Sequence, residues 1–341
     1  MTTQNRRIVL ASRPTTAAGE DNFRLETVPV GEPGPGQVLV RHHFLSLDPY
    51  MRGRMSERKS YAMPQPLDEV MIGGTAGEVI ASRHANFAVG DKVVSMGGWQ
   101  EYSIADGAPG PLAPRKVDTR AIPLSAYLGV VGMPGVTAWY GLNVICEPKS
   151  GETVAVSAAT GEVGSVVGQL AKAKGCRVVG IAGGREKCDY AVKELGFDAC
   201  VDYKAAPDAR ALGSLLAAAT PNGIDGYFEN VGGTVLDAVL VRMNAFGRIA
   251  VCGMIAGYDG EPLPLAYPAL ILTSRLKVQG FIVSEHPTIW PQALGELGAA
   301  VAGGTLKYRE TVATGIASAP GAFLGLLKGR NFGKQIVKLV D

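Results

Sequence analysis

The run Thr153-Val-Ala-Val-Ser157, followed at once by Ala158-Ala-Thr-Gly-Glu-Val-Gly164, restricts the possible folds more than any other feature of this chain. A short β-branched run of this kind reads as a fully buried strand. Past the turn, Val163, Val166, Val167, Leu170 and Ala171 recur at helical spacing, and Gly175 closes that helix. Strand, glycine-bearing turn and helix in immediate succession are what a dinucleotide-binding βαβ unit requires. Set against G-x-G-x-x-G, Ala159 takes the first glycine place, while Gly161 and Gly164 match the second and third. Gly161 lets a pyrophosphate approach the backbone, and Gly164 lets the helix pack closely on its strand. The start of the helix, at Glu162 and Val163, offers N–H groups and the positive end of the helix dipole to a phosphate. Glycines also close purely structural turns, but here strand, turn and helix all stand where the motif needs them.

The pattern repeats downstream. Arg177–Ile181 reads as strand, Arg185–Leu195 as helix and Ala199–Asp202 as strand. Ala209–Ala219 is helix, Gly226–Phe228 strand, Thr234–Met243 helix and Arg248–Cys252 strand; Leu276–Ile282 adds a strand and Ile289–Ala302 a helix. Such βα alternation predicts an α/β fold with a doubly wound parallel sheet. Before about residue 125 the style differs. Gln37–His42, Met71–Ser82 and Lys92–Met96 are short apolar runs broken by Gly and Pro, and they predict antiparallel strands of a small β-barrel. The tail, Lys334–Leu339, alternates as one more strand that can return to that first domain.

Composition narrows the function classes. A chain of 341 residues is too long for one compact core and suits two domains. A net charge of +2 gives no reason to expect a nucleic-acid or membrane partner. Met1 to Leu10 lacks the apolar core of a leader and no window is apolar enough to span a membrane, so a cytoplasmic location is expected. The five cysteines are scattered, with no C-x-x-C pair, as reduced thiols would be. Residues 1–145 contain no cysteine, so a Cys/His zinc site cannot be assembled in the first domain, and His42 and His43 would point to opposite faces of a strand. No G-x-S-x-G elbow supports hydrolase chemistry.

The strand after the glycine turn selects the nicotinamide. An NAD site places Asp or Glu about 20 residues beyond the glycines, on the ribose 2′-hydroxyl. Here that place is Ile181-Ala-Gly183-Gly184, followed by Arg185 and Lys187. Small residues leave room for a 2′-phosphate and the two cations attract it; cations are otherwise unfavourable at a helix start. NADPH is the expected cofactor, with Glu186 the one opposing charge.

Four segments then identify a family. Ser46-Leu-Asp-Pro-Tyr-Met-Arg-Gly-Arg54, Ala158-Ala-Thr-Gly-Glu-Val-Gly-Ser165, Tyr227-Phe-Glu-Asn-Val-Gly-Gly233 and Asn331-Phe-Gly-Lys-Gln-Ile-Val-Lys338 lie in order along the whole chain. Together they resemble the zinc-independent medium-chain dehydrogenases/reductases, in the group of prostaglandin reductases (leukotriene B4 12-hydroxydehydrogenases), plant double-bond reductases and bacterial curcumin reductases. Zinc-dependent relatives carry Gly-His-Glu where this chain has Gly73-Gly74-Thr75. The resemblance implies a GroES-like first domain at 1–125, completed by about 308–341, a Rossmann domain at 126–307, and a homodimer. It further implies that Lys187 and Tyr203 contact the 2′-phosphate region. Asn230, Cys252, Gly253, Met254, Ile255, Tyr258, Phe281, Ile282, Val283 and Asn331 would complete the cofactor cradle. Tyr50 and Tyr258 resemble substrate-site tyrosines, with Tyr61 the weaker candidate.

The expected reaction is reduction of the carbon–carbon double bond of an α,β-unsaturated ketone or aldehyde. Hydride reaches the β-carbon, negative charge gathers on the carbonyl oxygen, and a donor there stabilises the enolate. A phenol can supply that hydrogen bond or proton, and Tyr258 is the first choice. Quinone reduction, a non-catalytic NADPH-binding role and alcohol dehydrogenation are the alternatives; the missing zinc ligands weigh against the last.

Overall fold

The computed structural model describes residues 3–107 and 113–340. The chain divides into two compact units, Met1–Gly129 with Glu310–Asp341, and Val130–Arg309. In the first unit, β1 (Gln4–Leu10) pairs antiparallel with β2 (Phe23–Pro29). β3 (Gln37–Ser46) is the long central strand of a second, mixed sheet. After it come the short helix α1 (Tyr50–Arg54) and the strands β4 (Thr75–Ser82), β5 (Lys92–Ser95), β6 (Tyr102–Asp106) and β7 (Arg115–Lys116).

The second unit opens with α2 (Met133–Tyr140), which runs on into a π-helical turn at Gly141–Cys146. Then β8 (Thr153–Ser157), α3 (Glu162–Ala173), β9 (Arg177–Ala182), α4 (Arg185–Lys193), β10 (Ala199–Asp202) and α5 (Ala209–Ala219) alternate. β11 (Ile224–Glu229), α6 (Gly233–Leu240), β12 (Met243–Val251), α7 (Ala269–Thr273), β13 (Lys277–Gly280) and α8 (Trp290–Ala302) follow. The chain then re-enters the first unit with β14 (Glu310–Thr314), α9 (Ala319–Leu327) and β15 (Lys334–Lys338).

The second unit's sheet is wholly parallel, in the order β10-β9-β8-β11-β12-β13. That is the doubly wound arrangement the alternation predicts, with its reversal between β8 and β11. β8 is buried throughout, which explains why its sequence is a continuous apolar run and not an alternating one.

In the first unit β3 pairs with β4 along one edge and shares its other edge between β6 and β15. Two register shifts, at Leu39/Val40 and His42/Phe44, bend the strand so that it can serve both partners. The core is built on Trp99, stacked on Phe23 at 5.3 Å and meeting the edge of Phe323 at 5.5 Å. Phe323 comes from α9, so the C-terminal segment completes this core. A buried ion pair ties the same segment in. Lys334 Nζ lies 2.6 Å from Asp48 Oδ1 and also donates to the Leu47 carbonyl.

Several boundaries differ from the sequence reading. Met71–Gly74 is not strand: Met71 exchanges single backbone bonds with Ile8 and Trp99. A Cβ on Gly73 would sit 2.9 Å from the Trp99 ring, and the Gly73 and Gly74 carbonyls accept the Gly98 and Ser46 N–H groups, so scattered backbone bonds and packing hold this stretch. Met243 ends no helix. α6 stops at Leu240, and Met243 opens β12 by pairing with Ile224. α4 closes at Lys193, two residues short of Leu195. The last β-strand of the parallel sheet is only Lys277–Gly280, and Ile289 belongs to a 3₁₀ turn before α8. Among the described residues, no helix is long and apolar enough to cross a membrane.

Candidate active site

Each strand of the parallel sheet delivers part of the predicted cofactor set from its carboxyl end. After β8 comes Gly161–Gly164, after β9 Gly183 and Lys187, after β10 Tyr203, and after β11 Asn230; Cys252–Tyr258 follows β12 and Phe281–Val283 follows β13. This is the rim on which open parallel sheets bind ligands.

The turn after β8 is built around close backbone packing. Ala158 takes a left-handed φ of +49°, and its carbonyl accepts the Gly161 N–H at 2.8 Å. A Cβ on Gly164 would lie 2.4 Å from that same carbonyl oxygen, so only glycine lets α3 sit this close to β8. Gly161 is different: its Cβ would reach the Ala158 oxygen at 3.1 Å, tight but not prohibitive. Gly161 caps α3 in an extended conformation, and no side chain caps the helix. The first-turn amides and dipole end therefore point at the space a phosphate would take.

Beneath the turn lies a buried polar knot that the sequence reading missed. Ser157 Oγ donates to Glu229 Oε1 at 2.8 Å and accepts the Asn230 N–H at 2.8 Å, while Asn230 Nδ2 donates to the Ser157 carbonyl at 2.8 Å. Glu229 Oε1 also accepts the Val231 N–H, and the Glu229 carbonyl takes those of Cys252 and Gly253. The carboxyl thus joins the ends of β8 and β11, and the backbone carbonyl of the same residue holds the end of β12. Burial pushes the Glu229 carboxyl above its ordinary range, and its Oε2 has no hydrogen-bond partner. The only sequence signal was its place in the Glu-Asn-Val-Gly-Gly segment.

The end of β10 carries a second cluster. Asp202 Oδ1 accepts the N–H of Gly184 at 2.7 Å and that of Lys204 at 3.0 Å, which brings the β9 and β10 loops together. A Cβ on Gly183 would fall 2.9 Å from Lys204 Cε and 3.0 Å from the Tyr203 hydroxyl. These two side chains cross Gly183, and a larger residue there would have to displace them. Lys187 is half-buried, and its ammonium is pushed below the ordinary lysine value by burial and then by Lys204, with Glu186 opposing. Arg185 and Glu186 are exposed.

After β12, the Tyr258 hydroxyl lies 3.1 Å from where a Cβ on Gly253 would stand, so the phenol folds over the first residues of its own loop. Ile255 N–H donates to the Asn230 carbonyl, which ties this loop to the β11 end. Met254 is exposed, and burial pushes the Cys252 thiol up to about 12, leaving it protonated and inert. Phe281 packs its ring against Tyr140 at 5.4 Å and Phe228 at 6.1 Å. Val283 is buried, Ile282 half-buried, and the Val283 carbonyl accepts the Trp290 indole N–H.

The remaining candidates belong to the first unit. Tyr50 opens α1, and the Arg54 guanidinium stands 6.0 Å from the Tyr50 ring and 5.6 Å from the Tyr61 ring. The two tyrosines are thus grouped about one cation. Asn331 donates its amide to the Gly333 carbonyl at 2.7 Å. His42 is buried against Ser103, and burial together with His43 drives its imidazole down to about 3, so it stays neutral. Among the described residues, no group of three or more His, Cys, Asp or Glu is placed to hold a metal ion.

Comparison with known proteins agrees with this geometry. Residues 6–110 match the family described as N-terminal domain of oxidoreductase, and residues 163–299 the family described as zinc-binding dehydrogenase. The NADPH-dependent curcumin reductase of Escherichia coli is 47% identical over 98% of this chain and 97% of its own. The NADP(+)-dependent 2-alkenal reductase of Nicotiana tabacum is 41% identical over 98% of this chain and 97% of its own. The crystal structure of CurA in complex with NADPH from Vibrio vulnificus superposes with a TM-score of 0.92, at 47% identity, over 98% of this chain and 99% of that one. With its doubly wound cofactor unit, its four motifs and this full-length likeness, the chain belongs to the zinc-independent medium-chain dehydrogenase/reductase family of double-bond reductases.

Proposed function

We propose that this chain is an NADPH-dependent reductase of the carbon–carbon double bond of α,β-unsaturated ketones and aldehydes. The observation that carries the reading is the convergence of the predicted cofactor residues from six strands on one rim of the parallel sheet. The residues present fit the dinucleotide: an uncapped helix start for the pyrophosphate, and Gly183, crossed by Tyr203 and Lys204 with Lys187 four residues on, for the ribose phosphate.

When bound, the nicotinamide supplies the hydride. The chain's own residues do the rest. Gly161, Glu162, Val163 and Gly164 present backbone amides; Asn230 and the Cys252–Tyr258 loop are held in place through Glu229 and Ser157. The Tyr258 phenol donates to the carbonyl oxygen as its charge grows, the largest kind of contribution a preorganised donor makes. In the first unit, Tyr50 and Tyr61 are grouped about Arg54. A homodimer is part of the same reading. β13 is a sheet edge, and Val278 on it and Leu272 just before it are 44% and 78% exposed, which makes this edge suited to a second copy.

The test is a substrate panel with the purified protein. Small enones and enals should consume NADPH faster than quinones do, and simple alcohols with NADP⁺ should give nothing. Faster turnover of quinones than of every enone would replace this reading with quinone reduction, and NADPH binding without any turnover would leave a cofactor-binding protein.

A further inference from the structure

Gly183 poses a question that the established motifs leave open: why two side chains from β10's end crowd a glycine from β9's end. Lys204 Cε and the Tyr203 hydroxyl both lie within about 3 Å of the place its Cβ would fill, as measured at 2.9 and 3.0 Å. Asp202 enforces the arrangement, because its Oδ1 takes the N–H of Gly184 and that of Lys204 itself. The backbone of Lys204 is therefore fixed, and its side chain reaches across Gly183 in the loop that leads to Lys187. The two ammonium groups feel each other: Lys204 is the largest electrostatic influence on Lys187, ahead of Glu186. Lys204 forms no ion pair among the described residues, and the nearest carboxylate in sequence, Asp202, is engaged by backbone amides.

Lys204, held across Gly183, and Lys187 repel each other, which raises the energy of the isolated chain unless an anion lies between them. A phosphate monoester, with close to two negative charges at neutral pH, is such an anion. Arg185, the second cation on sequence grounds, is exposed at the start of α4 and exerts no comparable effect on Lys187.

We propose that Lys204 is a second cation for the ribose 2′-phosphate and that it sets, with Lys187, the preference for NADPH over NADH. This rests on the NADPH reading above. Lys204 acts as a point charge on a flexible stem, so arginine can replace it and a neutral residue cannot. Its contribution is screened by salt, since it stands at the surface.

The experiment measures binding of adenosine 2′,5′-bisphosphate and of adenosine 5′-monophosphate by calorimetry, and KM for NADPH and NADH, in wild type, Lys204→Ala and Lys204→Arg. Wild type should bind the bisphosphate well above the monophosphate. Lys204→Ala should weaken the bisphosphate and raise KM for NADPH by roughly tenfold at low salt. Adenosine monophosphate and NADH should change less than twofold, Lys204→Arg should restore most of the loss, and the gap between wild type and Lys204→Ala should shrink as salt rises. If Lys204→Ala kept the wild-type ratio of bisphosphate to monophosphate affinity, or lost both ligands equally, the assignment would be wrong while the NADPH reading stood. A wild type that bound both nucleotides equally would overturn the NADPH reading itself.

Discussion

Gly161 and Gly164 sit in one turn but are needed for different reasons, and two alanine substitutions separate them. At Gly164 the added Cβ would stand 2.4 Å from the Ala158 oxygen, so α3 must move off β8. Gly164→Ala should destabilise the protein by about 1–3 kcal/mol, as overpacking does, and abolish cofactor binding. Gly161→Ala meets its nearest neighbour at 3.1 Å and should keep a near wild-type melting temperature while cofactor affinity falls. Calorimetric melting beside a binding titration reads both. Tyr258→Phe should lower turnover by roughly 10- to 100-fold, at or below the lower end of the 10²–10³ that loss of one oxyanion donor can cost. NADPH affinity should barely change; wild-type turnover when chemistry limits the rate would move the donor elsewhere, to Tyr50, Tyr61 or the cofactor. At this scale the sequence exposed what repeats a motif and hid what depends on contact. Gly161, Gly164 and Lys187 could be found by spacing. Lys204 could not, because only the Asp202 bridge shows that it shares a cradle with Gly183.

At the scale of elements, the ends of β8 and β11 meet on one buried carboxyl, and that makes a pH prediction. Glu229 holds its proton to higher pH in the folded chain than in the unfolded one, because burial disfavours its charge. Raising the pH through that interval strips the unfolded chain first, so stability falls as pH rises. Glu229→Gln retains the acceptor for Ser157 and Val231 and removes the titration. The variant should melt close to wild type below the ordinary carboxylate range and gain on it as the pH rises above that range; a difference that does not change with pH would show that Glu229 does not titrate. Elements of the second unit were legible because strong helical periodicity alternates with β-branched runs. Those of the first unit were less so. β1, β2, α9 and the Gly73 region earn their conformation from Trp99, Phe23 and Phe323, contacts far apart in sequence that leave no period to read. Thr234–Met243 was misjudged at its end because Met243 is apolar in either role, and only its pairing with Ile224 makes it strand.

For the whole molecule the account requires hydride chemistry without a metal. Two buried thiols fit that: Cys146 and Cys252 are pushed up to about 12 by burial, which disfavours the thiolate that a zinc ion would need. Exhaustive dialysis against a chelator should leave turnover unchanged, whereas stoichiometric zinc retained in active protein would contradict the family reading. The central claim is the site of hydride delivery, and one measurement addresses it directly. The protein is incubated with an α,β-unsaturated ketone and NADPH deuterated at the transferred position, and the product is identified by mass spectrometry and NMR. The account predicts the saturated ketone, its carbonyl intact and one deuterium on the former β-carbon; an allylic alcohol with deuterium on the carbonyl carbon would contradict it.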